Sequence, residues 1–149
     1  MQNTNIDCDI IFLGLAQNCE KYLPHFFEKI DEISKKKNEK VFIGENGSND
    51  YTFDVIQKKI STSNIYNFVD TSFIEIHEDR IKRLALARQA LKEKFLNLNI
   101  KSKFVCVIDL DDVINNFFGF NLIDSLINKL EKEHDKYFGV SLSSKPYYY

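Results

Sequence analysis

Strand-like and helix-like stretches alternate along this chain, and that alternation constrains the fold more than any other feature. Residues 9–16, DIIFLGLA, form a near-continuous apolar run, the pattern of a strand covered on both faces. Leu23, Phe26, Phe27, Ile30 and Ile33 then recur at helical spacing, with Pro24 where a first turn tolerates it. KVFIGEN (40–46) and IYNFVD (65–70) predict two further strands. Between them a GSND turn lets Ser48 or Asp50 cap a helix that carries Phe53, Ile56 and Ile60. A helix over 78–97 follows, then a strand running into the acidic residues DLDD. Leu122, Ile123, Leu126, Ile127 and Leu130 mark another helix, and YFGVSLS (137–143) a last strand. Such alternation favours a mostly parallel sheet with helices on both faces, so the expected class is Rossmann-like α/β, one domain over residues 1–149.

With 44% hydrophobic and 28% charged residues in 149, the chain is long enough for a real core and too apolar for disorder. A net charge of -2 gives no long-range attraction to nucleic acid, and the lysines of KKKNEK (35–40) are expected to be a solvated helix end. The polar start MQNTNIDCDI is not a secretory signal, and no apolar run approaches the ~20 residues of a bilayer span. Cys8, Cys19 and Cys106 have no metal-site spacing and cannot all pair within one chain, which fits a reduced, cytoplasmic setting. Cys106 is expected to be a small core residue. His25, His77 and His134 share no motif and are expected at the surface or at helix caps.

The stretch KFVCVIDLDD (103–112) poses a chemical question: five apolar residues, Phe104 to Ile108, run into Asp109, Asp111 and Asp112. Carboxylates this close repel one another and resist desolvation unless a cation sits among them. In a parallel sheet the ligand crevice lies outside the carboxyl ends of the strands. Those ends here carry LAQN, ENGSND and DLDD. Acids and amides without a Gly-rich loop favour a metal bridging to phosphate oxygens, and magnesium sites commonly use one or two carboxylates in that way. Ile81, Leu84, Arg88, Leu91, Phe95 and Leu98 form one stripe of the long helix, with Arg88 its only polar member. A guanidinium on a core-facing stripe is costly unless it meets carboxylates or phosphate, so Arg88 is expected to reach the acidic cluster or a diphosphate, or else to snorkel at the stripe's edge.

Taken together, LAQN (15–18), GENGSNDYT (44–52), LALARQ (84–89) and VIDLDD (107–112) resemble, in order and spacing, the motifs of nucleotide-sugar-dependent glycosyltransferases of the GT-A fold. ENGSNDYT, RIKRLALARQ and the terminal KPYYY look more narrowly like a capsule-type mannosyltransferase family, which would place the chain in surface-polysaccharide synthesis. The resemblance implies a hexosyltransferase that moves sugar from a GDP- or UDP-linked donor to a glycan acceptor. It implies that Ala16, Gln17 and Asn18 line the base pocket and that Glu45, with Asn46 beside it, contacts base or ribose. Arg88 would lie against the nucleotide, Asp109 against ribose or metal, and Asp111 would hold Mn2+ or Mg2+ on the diphosphate, with Asp112 as a further ligand through water. No catalytic base is assigned.

The sequence departs from that pattern in several places. Glu45 stands where an Asp is usual, Gln89 where an Asn follows the Arg, and Tyr51 where a Gly closes the turn. Relatives continue into an acceptor-binding half, whereas 37 residues follow Asp112 here. A donor-binding fragment, or a non-catalytic binding module on the same fold, is therefore a competing expectation. VIDLDDV also resembles the first motif of haloacid-dehalogenase-type phosphatases, in which Asp109 would be the nucleophile and Asp111 the acid-base, with magnesium. Those enzymes place that motif on the first strand, not after three others. Tyr147 to Tyr149 form a candidate sticky end for self-association.

Overall fold

A computed structural model describes residues 7–110 and 120–140. Its order is β1 (Cys8–Ala16), α1 (Leu23–Ser34), β2 (Glu39–Glu45), α2 (Thr52–Thr62), β3 (Tyr66–Asp70), a 3-10 helix (Ser72–Ile76), α3 (Arg80–Asn97), β4 (Ser102–Asp109) and α4 (Phe120–Lys132). The four strands are parallel and lie in the order β3-β2-β1-β4. This is the α/β, Rossmann-like architecture the alternation predicted.

The period of two along each strand sorts side chains onto two faces. Ile10 and Phe12 of β1, Val41 and Ile43 of β2 and Ile108 of β4 meet Leu23, Phe26, Ile30 and Ile33 of α1, Ile56 of α2, and Ile123 and Ile127 of α4. On the opposite face Ile11, Leu13 and Leu15 of β1 and Phe42 of β2 meet Ala87 and Leu91 of α3, with Ile74 beside them. The apolar run at 9–16 is thus covered on both sides, as its composition required. Pro24 sits in the first turn of α1. Asp79 caps α3 by accepting the Ile81 and Lys82 N–H groups at 2.8 and 3.3 Å, a contact typically worth ~1 kcal/mol.

Three expectations need correction. The apolar stretch 104–108 is not doubly covered. Phe104, Cys106 and Ile108 face the α4 side, while Val105 and Val107 are 50% and 57% exposed. The cause is helix placement: α3 packs chiefly over β1 and β2, leaving the two valines of β4 uncovered. For the same reason the buried stripe of α3 is narrower than its periodicity suggested. Ala87 and Leu91 are buried, Leu84 and Phe95 pack partly, and Ile81 and Leu98 are exposed.

The expected strand at 137–143 is not formed over residues 137–140, where Phe138 is fully exposed. Residues 141–143, like Tyr147 to Tyr149, lie outside the described residues. The lysine run ends α1, and Lys37 pairs with Asp124 of α4 at 3.1 Å. His25 pairs with Glu28, His77 closes the 3-10 helix, and His134 pairs with Asp135, all surface or cap positions. No helix among the described residues is long and apolar enough to cross a membrane.

Candidate functional site

Parallel register brings the strand ends to one edge. Leu15 lies opposite Asp109, Ala16 opposite Glu45, and Glu45 opposite Asp70. The chain builds outward from β1 through β2 to β3, then crosses by α3 to β4 on the other side of β1. The direction of winding reverses between β1 and β4, which is where open α/β sheets leave a crevice for ligands. LAQN and Asp109 flank that point.

The loops after β1 and β2 are tied together before any ligand arrives. Both carboxylate oxygens of Glu45 are occupied, Oε2 by the Gly47 N–H at 3.1 Å and Oε1 by the Ser48 N–H at 2.6 Å, and the residue is 6% exposed. Asn18 donates its N–H to Ser48 Oγ at 2.9 Å and accepts the Asn49 N–H on its side chain at 2.8 Å. This reciprocal clasp needs a left-handed backbone at Asn18, whose φ of 51° an Asn accepts more readily than most residues. Gln17 Nε2 donates to the Asn46 carbonyl at 3.2 Å, and the Asn46 N–H donates to the Ala16 carbonyl at 3.0 Å. Asp50 accepts the Thr52 N–H at 3.0 Å and the Glu20 N–H at 3.3 Å, so Asp50 rather than Ser48 leads into α2.

Across the switch point, Arg88 Nη2 donates to Asp109 Oδ1 at 3.3 Å. The pair is half-exposed, at 46% and 60%. Arg88 therefore sits at the edge of the α3 stripe and leans toward β4, satisfying the expectation that it meets the acidic strand end. Asp111 and Asp112 lie outside the described residues. Among the described residues no three His, Cys, Asp or Glu side chains are grouped to hold a metal. Among the described residues Asp109 is a half-exposed carboxylate at this edge, the kind of hard oxygen donor that magnesium or manganese takes beside phosphate oxygens and water. Cys19, buried next to this edge with its N–H on Thr52 Oγ1 at 2.8 Å, is no nucleophile, since burial pushes its thiol up to about 11.

Thr71 was not singled out by sequence reasoning, yet it locks β2 to β3. It is fully buried, its hydroxyl donates to the Glu45 carbonyl at 2.8 Å, and it also meets the Asn46 side-chain amide. A lone Thr after a strand carries no motif, so only the three-dimensional contact reveals it. Glu75 is a second such residue. Gly47 has φ 78°, and a Cβ there would collide with the Glu75 carboxylate, so this glycine is required by both conformation and space.

No protein-family model matches this sequence, and no curated protein matches it. Among solved structures the fold is similar to residues 1–349 of S. aureus TarS, a GT-A-type glycosyltransferase, with a TM-score of 0.53 at 14% identity. The match covers 91% of this chain and 39% of the TarS chain. At that identity the likeness concerns the fold.

Proposed function

We propose that this chain is the donor-binding part of a glycosyltransferase of GT-A type, taking a GDP- or UDP-linked sugar destined for a glycan acceptor. The observation that carries the reading is the Arg88–Asp109 pair, set at the switch point of a sheet folded like that of a glycosyltransferase. A cation and an acid side by side suit a diphosphate and its counter-ion, where a purely basic cleft would suit phosphate alone.

Ala16, Gln17 and Asn18, with Glu45 and Asn46, form the wall for base and ribose. Glu45 contributes there chiefly by shaping the turn, since its carboxylate is spent on Gly47 and Ser48. Arg88 binds the diphosphate. Asp109, joined by Asp111 and Asp112, is assigned to Mn2+ or Mg2+. When bound, such an ion offsets the charge that develops on the departing nucleoside diphosphate. A reduced, cytoplasmic setting is part of the proposal. No residue of this chain is assigned to the acceptor or to the base that activates it; the match covers 39% of the neighbour's chain.

The test is a calorimetric titration of UDP, GDP and their sugar conjugates with manganese and with EDTA, on the parent and on Asp109→Asn. Metal-dependent binding that the variant loses is the expected result, and the better nucleotide identifies the donor. Absence of nucleotide binding overturns the proposal. Hydrolysis of p-nitrophenyl phosphate that requires Asp109 would replace it with the phosphatase reading.

A further inference from the structure

We propose that the Asn46–Gly47 peptide is a latent self-modification site, which the fold keeps inert through Thr71, Gln17 and Glu45 and which converts to aspartate or isoaspartate when that hold opens. The proposal does not depend on the donor-site reading. This is the chain's single Asn-Gly pair. Asn before Gly is the pairing most open to ring closure, because the second residue has no side chain to hinder its main-chain nitrogen. In that reaction the Gly47 nitrogen gives its proton to hydroxide and bonds to Cγ of Asn46, whose amide nitrogen leaves as ammonia. Water then opens the cyclic imide. Opening at one carbonyl leaves an ordinary aspartate; opening at the other leaves isoaspartate, whose main chain is longer by a methylene.

The hazard cannot be removed by replacing the glycine. Gly47 has φ 78°, and a Cβ there would collide with the Glu75 carboxylate. The fold instead immobilises the pair. The peptide that joins the two residues is pinned at both ends: its carbonyl, that of Asn46, accepts Gln17 Nε2 at 3.2 Å, and its N–H, that of Gly47, donates to Glu45 Oε2 at 3.1 Å. The Asn46 side chain is held against the hydroxyl of the fully buried Thr71, and Asn46 itself is 6% exposed. Thr71 ties the pair to the end of β3, since its hydroxyl and its N–H both donate to the Glu45 carbonyl, at 2.8 and 3.0 Å.

Each contact opposes one requirement of ring closure. The Asn46 amide must swing back over its own peptide, which means leaving Thr71. The peptide must turn, which breaks the contacts with Gln17 and Glu45. The Gly47 N–H must ionise, and a carboxylate beside it disfavours a second negative charge. Conversion therefore runs through an open state, and its rate follows the population of that state. Either product unmakes the turn: aspartate adds a carboxylate next to the buried Glu45, and isoaspartate lengthens the chain after β2.

The test is timed peptide mapping by mass spectrometry of the 149-residue chain in mildly alkaline buffer, folded and in guanidinium chloride, with isoaspartate resolved by chromatography. The unfolded chain is expected to convert Asn46 about tenfold or more faster than the folded one. Thr71→Val, which keeps the shape and deletes the hydroxyl, is expected to convert about tenfold faster than the parent in the absence of denaturant. Thr71→Ser keeps the hydroxyl and is expected to stay near the parent rate. Circular dichroism establishes that each variant is folded. Gln17→Ala changes an exposed side chain and serves where Thr71→Val does not fold; it too is expected to convert faster than the parent. Equal rates in the folded and unfolded parent overturn the proposal. So does a folded Thr71→Val no faster than the parent, a Thr71→Ser as fast as Thr71→Val, or a Gln17→Ala at the parent rate.

Discussion

The Arg88 guanidinium donates to the Asp109 carboxylate at 3.3 Å, linking the middle of α3 to the last residue of β4 across the point where the sheet reverses its winding. Both side chains are half-exposed, and ion pairs of that kind contribute at most ~1 kcal/mol to stability. A guanidinium held there at little energetic gain is better explained by what it can bind.

Arg88→Ala is accordingly expected to change unfolding free energy by less than ~1 kcal/mol while weakening UDP or GDP binding about tenfold or more. Arg88→Lys is expected to recover part of the affinity, since it keeps charge but loses the planar fork. Urea denaturation and calorimetry, run on the same preparations, separate the two effects. A large loss of stability with unchanged affinity would make the pair structural.

Glu45 is the opposite case. Its buried carboxylate accepts two main-chain N–H groups. Glu45→Ala leaves both donors without their acceptor and is expected to cost about 2–3 kcal/mol. Glu45→Gln, which keeps one acceptor oxygen, is expected to cost about half as much. Denaturant midpoints at constant m-value provide the measurement. A neutral Glu45→Ala would show that the turn holds without it and would return this carboxylate to direct ligand contact.

Glu39 supplies a pH test away from the site. It is 2% exposed, and its Oε2 has no hydrogen-bond partner among the described residues. Its Oε1 meets the Ser34 hydroxyl, whose single proton is also within 3.0 Å of the Ile30 carbonyl. Burial raises this carboxyl above its usual value of 4.5; the Ser34 contact and Lys40 oppose the rise, and Asp31 adds to it. Below 4.5 both folded and unfolded states hold the proton, and the full stability is present. As pH rises, the unfolded chain ionises first, so stability is lost until the folded-state value is passed. Glu39→Gln is expected to remove this loss, gaining ~1 kcal/mol at pH 7, or a melting rise of roughly 3 °C. Melting curves of the two proteins should converge near pH 4 and diverge above it. Parallel curves at all pH values would refute the assignment.

Gly14 is a packing test tied to the same edge. A Cβ there would lie 2.8 Å from Leu110 Cδ1, the side chain immediately after Asp109. Gly14→Ala is expected to push Leu110 aside, costing about 1–3 kcal/mol and lowering nucleotide affinity by shifting the strand end. Loss of stability without loss of affinity would show that Asp109 is positioned independently of Leu110.

The sequence by itself determined the elements and their class. Apolar runs and helical periods are local signals: β1, α1, α2 and the parallel sheet follow from which residues sit two or three to four apart, and Pro24 falls in a first helical turn, where its chemistry permits. It also pointed to Arg88 and Asp109, because a charge set within an apolar pattern is visible without coordinates. Tertiary structure alone decided how the helices are laid over the sheet. Val105 and Val107 read as core, yet α3 covers β1 and β2 and leaves them in water. Only the folded chain shows that Glu45 spends its carboxylate on a turn, that Asn18 clasps Ser48 and Asn49, and that Thr71 locks two strands together. Those partners lie up to 31 residues apart, and a hydrogen bond between distant residues imposes no period on the sequence between them. A periodic pattern records which face of an element is apolar; what covers that face depends on where the other elements come to rest.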